Sequence, residues 1–130
     1  MRGALKDAHV EPHEISYVNA HGSSTPLNDT TETRAIRTVF GDHAGNLQVS
    51  STKGYYGHAL GASGAIEAAI CALALRNRWV PPTVNLQTPD EACDLDYVPS
   101  VGRPADLDVV VSNSFGFGGI NAAIVMRGDN

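Results

Sequence analysis

His21, Lys53 and His58 are the residues whose types and settings offer chemistry in this chain. His21 stands in VNAHGSSTPLND, among Asn19, Ser23 and Thr25, and His58 stands in STKGYYGHALGASG, five residues after Lys53. Each histidine precedes a stretch that reads as a helix. A helix N-terminus, with its free N–H groups and partial positive charge, favours imidazole over imidazolium. Neutral imidazole is a hydrogen-bond donor that can polarise a carbonyl and hold a developing oxyanion. One such histidine alone is as readily a packed turn residue; a second in the same setting points to a pair. A third feature, FGFGGI at 115–120, is a glycine-rich turn able to bring backbone N–H groups close to a ligand.

The elements that must hold these groups follow from pattern. Met1, Ala4, Leu5 and Ala8 fall at helical spacing with no capping residue before them, so the chain is expected to begin inside a helix, as a split or truncated chain does. Residues 15–20 alternate poorly but are rich in strand formers and read as a buried strand. After Pro26 a helix starts near Asn28 or Asp29, with Asp29 and Glu32 spaced as a capping box, an apolar stripe of Ile36, Val39 and Phe40, and Gly41 as its stop. A second strand at 47–52 leads into Lys53. Lys53 and His58 are expected just ahead of one long helix that closes at 76–78; it is small and apolar apart from Glu67, and is expected to be covered on most sides. Histidine on a strand-to-helix loop occurs twice, at the end of an open α/β sheet where ligands bind. The plainer role for Ser23 and Thr25 is to cap that loop. From Trp79 onward prolines exclude a helix, and strands at 108–114 and 121–126 flank the glycine turn.

Composition narrows the classes. The 130 residues, 42% hydrophobic, suit one domain, 1–130, with a formal charge of −5 that argues against a nucleic-acid surface. No apolar run reaches the roughly 20 residues of a membrane helix, no leader is recognisable, and two cysteines make no disulfide framework, so a reducing cytoplasm is expected. The lysine precedes the glycines and the Gly116, Gly118, Gly119 run opens a strand, so a phosphate loop is disfavoured. His21 and His58 lie 37 residues apart and neither cysteine has a paired-ligand spacing, which disfavours zinc. Cys71 lies inside the apolar helix and Cys93 in the acidic loop EACDLD; both are poor nucleophiles.

Four motifs in register, VNAHGSSTPLND, STKGYYGHALGASGAIEAA, VPPTVNL and NSFGFGGIN, resemble the C-terminal half of the elongating β-ketoacyl-[acyl-carrier-protein] synthases, and VNAHG with TPLND resembles the discrete type II enzymes. The resemblance covers nearly the whole chain. It implies an α/β thiolase-like fold of which this chain is about one half, a mixed sheet with helices packed on it and a buried central helix. It implies His21 and His58 as catalytic histidines with Lys53 as the active-site lysine. Ser23, where threonine is usual, and Thr25 would contact a phosphopantetheine arm. Phe115, Phe117 and Gly118 would bind substrate, with Phe117 as gate and oxyanion donor. Asn19, Glu32, Glu67 and Asn113 would lie near a structural cation. The implied reaction is decarboxylative condensation of a malonyl thioester with an acyl group held on a cysteine, and needs no cofactor beyond the carrier's phosphopantetheine. The implied partners are acyl carrier protein, an N-terminal half supplying that cysteine, and a second copy of the complete enzyme. The alternative is a non-catalytic, carrier- or partner-binding remnant.

Overall fold

Three consecutive valines, Val109 to Val111, explain the layering, because successive strand residues face opposite sides of a sheet. Val109 and Val111 join one apolar cluster with Ile36 and Phe40, while Val110 joins another with Cys71 and Ala74. The computed structural model describes residues 1–129. In chain order its elements are α1 (Arg2–Asp7), β1 (Ile15–Asn19), α2 (Asn28–Phe40), β2 (Gln48–Ser50), α3 (Lys53–Tyr56), α4 (Ser63–Asn77), β3 (Trp79–Val80), β4 (Arg103–Pro104), β5 (Val109–Phe115) and β6 (Asn121–Arg127). The main sheet has the order β2-β1-β5-β6, with β1 parallel to both neighbours and β6 antiparallel to β5. Helix α2 lies on one face and α4 on the other. The mixed α/β architecture is the expected one.

The poor alternation at 15–20 has a structural cause. The register of β1 against β5 shifts between Ile15 and Tyr17, a bulge that returns Ile15 and Val18 to the α2 side while Tyr17 faces α4. Because β1 is central and buried on both faces, it ends by delivering Asn19, Ala20 and His21 to the top of the sheet.

Two local expectations are corrected. Asp29 and Glu32 form no capping box: the N-cap of α2 is Leu27, without a side-chain bond. Both carboxylates instead reach back to the preceding loop, Asp29 accepting from the Ser24 N–H at 3.1 Å and Glu32 from His21 and Gly22. The loop folds over the helix start and offers better-placed donors than the helix itself. Lys53 and His58 both precede the long helix but do not lead directly into it: Lys53 opens the one-turn α3, which Gly57 ends at φ +79°, and a 3-10 turn, Leu60–Ala62, separates His58 from α4.

Helix α4 is mostly apolar around its circumference yet buried along one stripe, Ser63, Glu67, Cys71 and Ala74. Ala65, Ala69, Ala72 and Leu73 are exposed, so the expected cover is present on one face only. Among the described residues no element packs over that outer face.

Gly22 fixes the approach of the loops after β1 and β2. Its φ is +44°, and a Cβ there would collide with the Ser51 side chain, whose Oγ donates to the Gly22 carbonyl at 3.0 Å. Gly57 shares a positive φ but faces open space. Gly22→Ala is therefore expected to cost about 2–4 kcal/mol, strain plus overpacking, and Gly57→Ala about 1–2 kcal/mol from strain alone. Denaturant unfolding of the two variants measures the difference; equal costs would show that the Gly22–Ser51 contact is not a constraint.

Candidate active site

Two adjacent peptide units at the end of β1 are held by two charged side chains, with a third behind them. The N–H groups of His21 and Gly22 each donate to a separate oxygen of Glu32, both at 2.9 Å, and the His21 carbonyl accepts from Lys53 Nζ at 2.6 Å. Lys53 is ion-paired with Glu67, and all three charged side chains are buried. Buried charges are tolerated when paired or well hydrogen-bonded: Lys53 and Glu67 are paired with each other, and Glu32 is held by N–H donors alone. The result is a His21 backbone fixed from α2 on one side and from α3 and α4 on the other.

The imidazoles are fixed as closely. His21 Nδ1 accepts from the Phe115 backbone N–H at 3.3 Å, and His58 Nδ1 accepts from the Leu60 backbone N–H at 3.1 Å. A backbone N–H only donates, so both Nδ1 atoms are unprotonated and both rings carry their proton on Nε2. Ser63 Oγ, 3.1 Å from His58 Nδ1, then donates as well. The rings stand edge to face with centroids 5.2 Å apart. His21 is buried and His58 exposed, so the pair forms the floor and rim of an open surface. Two Nε2–H donors on neighbouring rings can converge on one oxygen, which is the arrangement that stabilises an enolate or oxyanion.

Electrostatics keep His21 neutral. Burial, then the Lys53 ammonium, then His58, lower its pKa to about 4, against a small opposing pull from Asp29. Burial raises Glu67, and Lys53 pulls it back. The Cys71 thiol is pushed up to about 12 by burial and is fully enclosed, so it is no nucleophile.

The remaining predicted residues are dispersed. Thr25 Oγ1 accepts from the Asn28 N–H at 3.2 Å and lies 3.2 Å from Ser23 Oγ, so Thr25 acts as a loop cap at the start of α2. The aromatic ring against His21 is Phe115, centroids 5.6 Å apart, whereas Phe117 is 94% exposed on the 3-10 turn Phe117–Gly119. Gly118 and Gly119 have φ of +75° and +83°, and the Gly116 N–H closes the turn on the Ile120 carbonyl at 2.7 Å. A cavity of about 590 Å³ is bordered by Gly22, Ser24, Thr25, Val84 and Cys93 but by neither imidazole.

The cation expected near Asn19, Glu32, Glu67 and Asn113 can be tested against the free acceptors. Asn19 Oδ1, Glu67 Oε2 and Asn113 Oδ1 are buried without a hydrogen-bond partner. Such orphans are costly; Glu67 and Asn113 belong to the network that holds His21, whereas the Asn19 side chain donates to the Tyr17 hydroxyl. Asn113 Nδ2 donates to Glu32 at 3.0 Å, which fixes its amide orientation because a carboxylate only accepts. Glu32 itself already accepts four N–H bonds, from His21, Gly22, Asn28 and Asn113, and so brings charge instead of a free oxygen. Three free oxygens, one of them from the Glu67 carboxylate, with the Glu32 charge bonded to Asn113, are of the type that fits a hard cation. Among the described residues no group of three or more His, Cys, Asp or Glu could hold a metal, so any cation here would depend on the amide oxygens as well.

Sequence reasoning missed Glu32 as the clamp of the His21 loop, and Leu60 and Ser63 as the partners that orient His58. The polar residue five positions after His58 was a visible signal for Ser63; Glu32, eleven positions after His21 and assigned to a cap, gave none. No helix among the described residues is long and apolar enough to cross a membrane.

Comparison with known proteins places this geometry in context. Residues 1–87 match the family described as "Beta-ketoacyl synthase, C-terminal domain". The chain is 54% identical over 126 residues, 97% of its length, to 3-oxoacyl-[acyl-carrier-protein] synthase 2 of Coxiella burnetii, and 55% identical over 124 residues, 95% of its length, to the protein of that name from Synechocystis. In both cases it spans 30% of the relative's length. Among solved structures it superposes with a TM-score of 0.97 at 43% identity on a chain in a structure described as a type II PKS acyl-carrier protein in complex with its ketosynthase bound to the hexaketide, covering 99% of this chain and 32% of that one. A beta-ketoacyl synthase from Burkholderia phymatum gives 0.94 at 42% identity, covering 100% and 31%.

The depressed His21 pKa carries a stability consequence. Between pH 6.5, its ordinary value, and about 4, the unfolded chain takes up a proton that the folded chain refuses. The stability linked to neutral His21 is thus complete above pH 6.5 and lost as pH falls towards 4. His21→Gln, which cannot titrate, is expected to lack this acid loss, so the melting-temperature gap between wild type and variant should move against wild type over that window. A gap independent of pH would contradict a neutral, buried His21.

Proposed function

The chain belongs to the beta-ketoacyl synthases, and from that membership we propose that it supplies the two-histidine half of a condensing active site. The observation that carries the proposal is the pair of Nε2–H donors whose Nδ1 atoms are pinned by backbone N–H groups of Phe115 and Leu60. In the proposed reaction a malonyl thioester on acyl carrier protein loses carbon dioxide. The electron pair of the breaking C–C bond passes into the thioester carbonyl, and the enolate oxygen receives hydrogen bonds from His21 and His58. The enolate carbon then attacks an acyl thioester, re-forms its own carbonyl, and expels a cysteine thiolate. Donors already in place at the developing charge need no reorganisation, which is the source of their effect.

That cysteine comes from elsewhere in the full-length protein, since Cys71 is enclosed and Cys93 lies in the separate cavity. The same remainder covers the outer face of α4 and completes the acyl pocket. The complete enzyme works as a homodimer with acyl carrier protein as partner, in fatty acid or polyketide synthesis. Ser23 and Thr25 flank the path of the phosphopantetheine arm, Phe115 backs His21, and Phe117 with Gly118 forms an exposed turn suited to gate acyl entry. Lys53 touches the His21 carbonyl and Glu67 and works as a positioning residue. Asn19, Glu67 and Asn113 would hold a structural cation under the His21 loop, where it supplies charge balance and takes no part in bond making.

In the full-length protein, His21→Ala and His58→Ala are each expected to slow malonyl decarboxylation by about 100- to 1,000-fold while leaving acylation of the cysteine largely intact. Carbon dioxide release at near wild-type rate in either variant would overturn the donor assignment. Gly118→Val, which forces a β-branched residue to φ +75°, is expected to impair acyl transfer, and Phe117→Ala to alter acyl entry more than folding. Unchanged acylation kinetics in both would make the turn an ordinary hairpin connection.

A further inference from the structure

Helix α4 changes character along its buried stripe. Cys71 and Ala74 pack into the apolar cluster with Tyr17 and Val110, whereas the first two members of the stripe, Ser63 and Glu67, are polar and equally buried. A buried polar side chain needs a partner, and the partners here are informative. Glu67 holds Lys53, which in turn holds the His21 carbonyl. Ser63 does not cap the helix: the N-cap is Ala62, without a side-chain bond, and the Ser63 hydroxyl goes instead to His58 Nδ1. Both histidines are therefore held from one face of one helix.

We infer that Ser63 is a positioning residue which, together with Glu67, sets where the His58 ring stands relative to His21. The inference rests on the decarboxylation proposed above, in which both rings donate to one oxygen. Residues four apart share a helix face and lie about 6 Å apart along the axis. That span is close to the 5.2 Å between the two ring centroids. The Leu60 N–H also reaches His58 Nδ1, but it belongs to the turn that carries His58 and moves with it. Leu60 suffices for the tautomer and leaves the position of the ring to be fixed from outside the turn. Ser63 supplies that outside hold, because α4 is itself seated on β5. Next to Ser63, Gly64 faces that strand, where a Cβ would stand 3.4 Å from Ser114 Oγ; the following residue, Phe115, gives its N–H to His21 Nδ1. Two donors serve one oxygen fully only when each approaches it nearly in line, so their mutual placement matters to the rate.

The test uses the full-length protein and three substitutions. Ser63→Ala removes the hydroxyl and keeps a good helix former, Ser63→Thr keeps the hydroxyl, and His58→Ala removes the ring through which Ser63 acts. Carbon dioxide release from malonyl acyl carrier protein is followed in each single variant and in Ser63→Ala/His58→Ala. In parallel, protein labelled with nitrogen-15 at histidine reports the Nδ1 resonance of each ring.

Ser63→Ala is expected to lower kcat for decarboxylation about 3- to 10-fold, the worth of one neutral hydrogen bond, with little change in KM. In the His58→Ala background the same substitution should change the rate by less than about twofold, since residues that act as a pair are not additive. The His58 Nδ1 resonance should move downfield in Ser63→Ala, as for an unprotonated nitrogen that loses a donor, while that of His21 stays in place; Ser63→Thr should return both rate and resonance towards wild type. Near wild-type carbon dioxide release in His58→Ala would overturn the proposed function and this inference with it. With His58→Ala slow, an unchanged kcat in Ser63→Ala, an equal loss in both backgrounds, or an unmoved His58 Nδ1 resonance would overturn the role of Ser63 and leave the proposed function standing.

Discussion

The ionic clamp on the His21 peptide is the interaction on which the site depends. Glu32 takes the N–H groups of His21 and Gly22, Lys53 takes the His21 carbonyl, and Glu67 holds Lys53 in turn. These side chains come from α2, α3 and α4, so two adjacent peptide units tie together helices on both faces of the sheet. Buried ion pairs add little net stability against apolar replacements, but loss of one partner strands the other and costs about 3–5 kcal/mol. The clamp therefore acts through specificity. It makes one position of the His21 loop far better than its neighbours.

Position and protonation of the imidazoles follow from the same arrangement. Burying His21 near Lys53 disfavours the imidazolium, and a neutral ring is free to accept the Phe115 N–H at Nδ1. That bond places the proton on Nε2, pointing away from the scaffold. His58 reaches the same tautomer by local means, through Leu60 and Ser63 at the entrance to α4. One histidine is held by distant charges and the other by its own turn, yet both end as donors of the same kind. The chain's other polar device, the turn Phe117–Gly119, is tied to this pair through Phe115, which carries both the N–H for His21 and the start of the turn.

Much of this was legible in the residues. Strand-forming 15–20 and the consecutive valines of β5 announce a central sheet, and the two strand–loop–histidine–helix segments announce the end at which the site lies. The motifs that resemble the synthases carried the identity of the family. What escaped was whatever depends on contacts distant in sequence. Asp29 and Glu32 have capping-box spacing, but spacing says nothing of the loop that folds over α2 and claims both carboxylates. Lys53 stands near His58 in sequence, yet it is bonded to the His21 carbonyl 32 residues away. The mostly apolar α4 announced how much surface needs cover, not what covers it: Leu73 remains 56% exposed in the described residues.

The tautomers of the two histidines are the most direct measure of whether the site is built as argued. Full-length protein labelled with nitrogen-15 only at histidine, examined by long-range proton–nitrogen correlation at neutral pH, reports which ring nitrogen bears the proton. His21 and His58, assigned by loss of their signals in His21→Gln and His58→Gln, should both show an unprotonated Nδ1 and a protonated Nε2. An Nδ1–H tautomer at either residue, or a His21 ring protonated on both nitrogens, would contradict the arrangement of backbone donors and the neutral pair it creates.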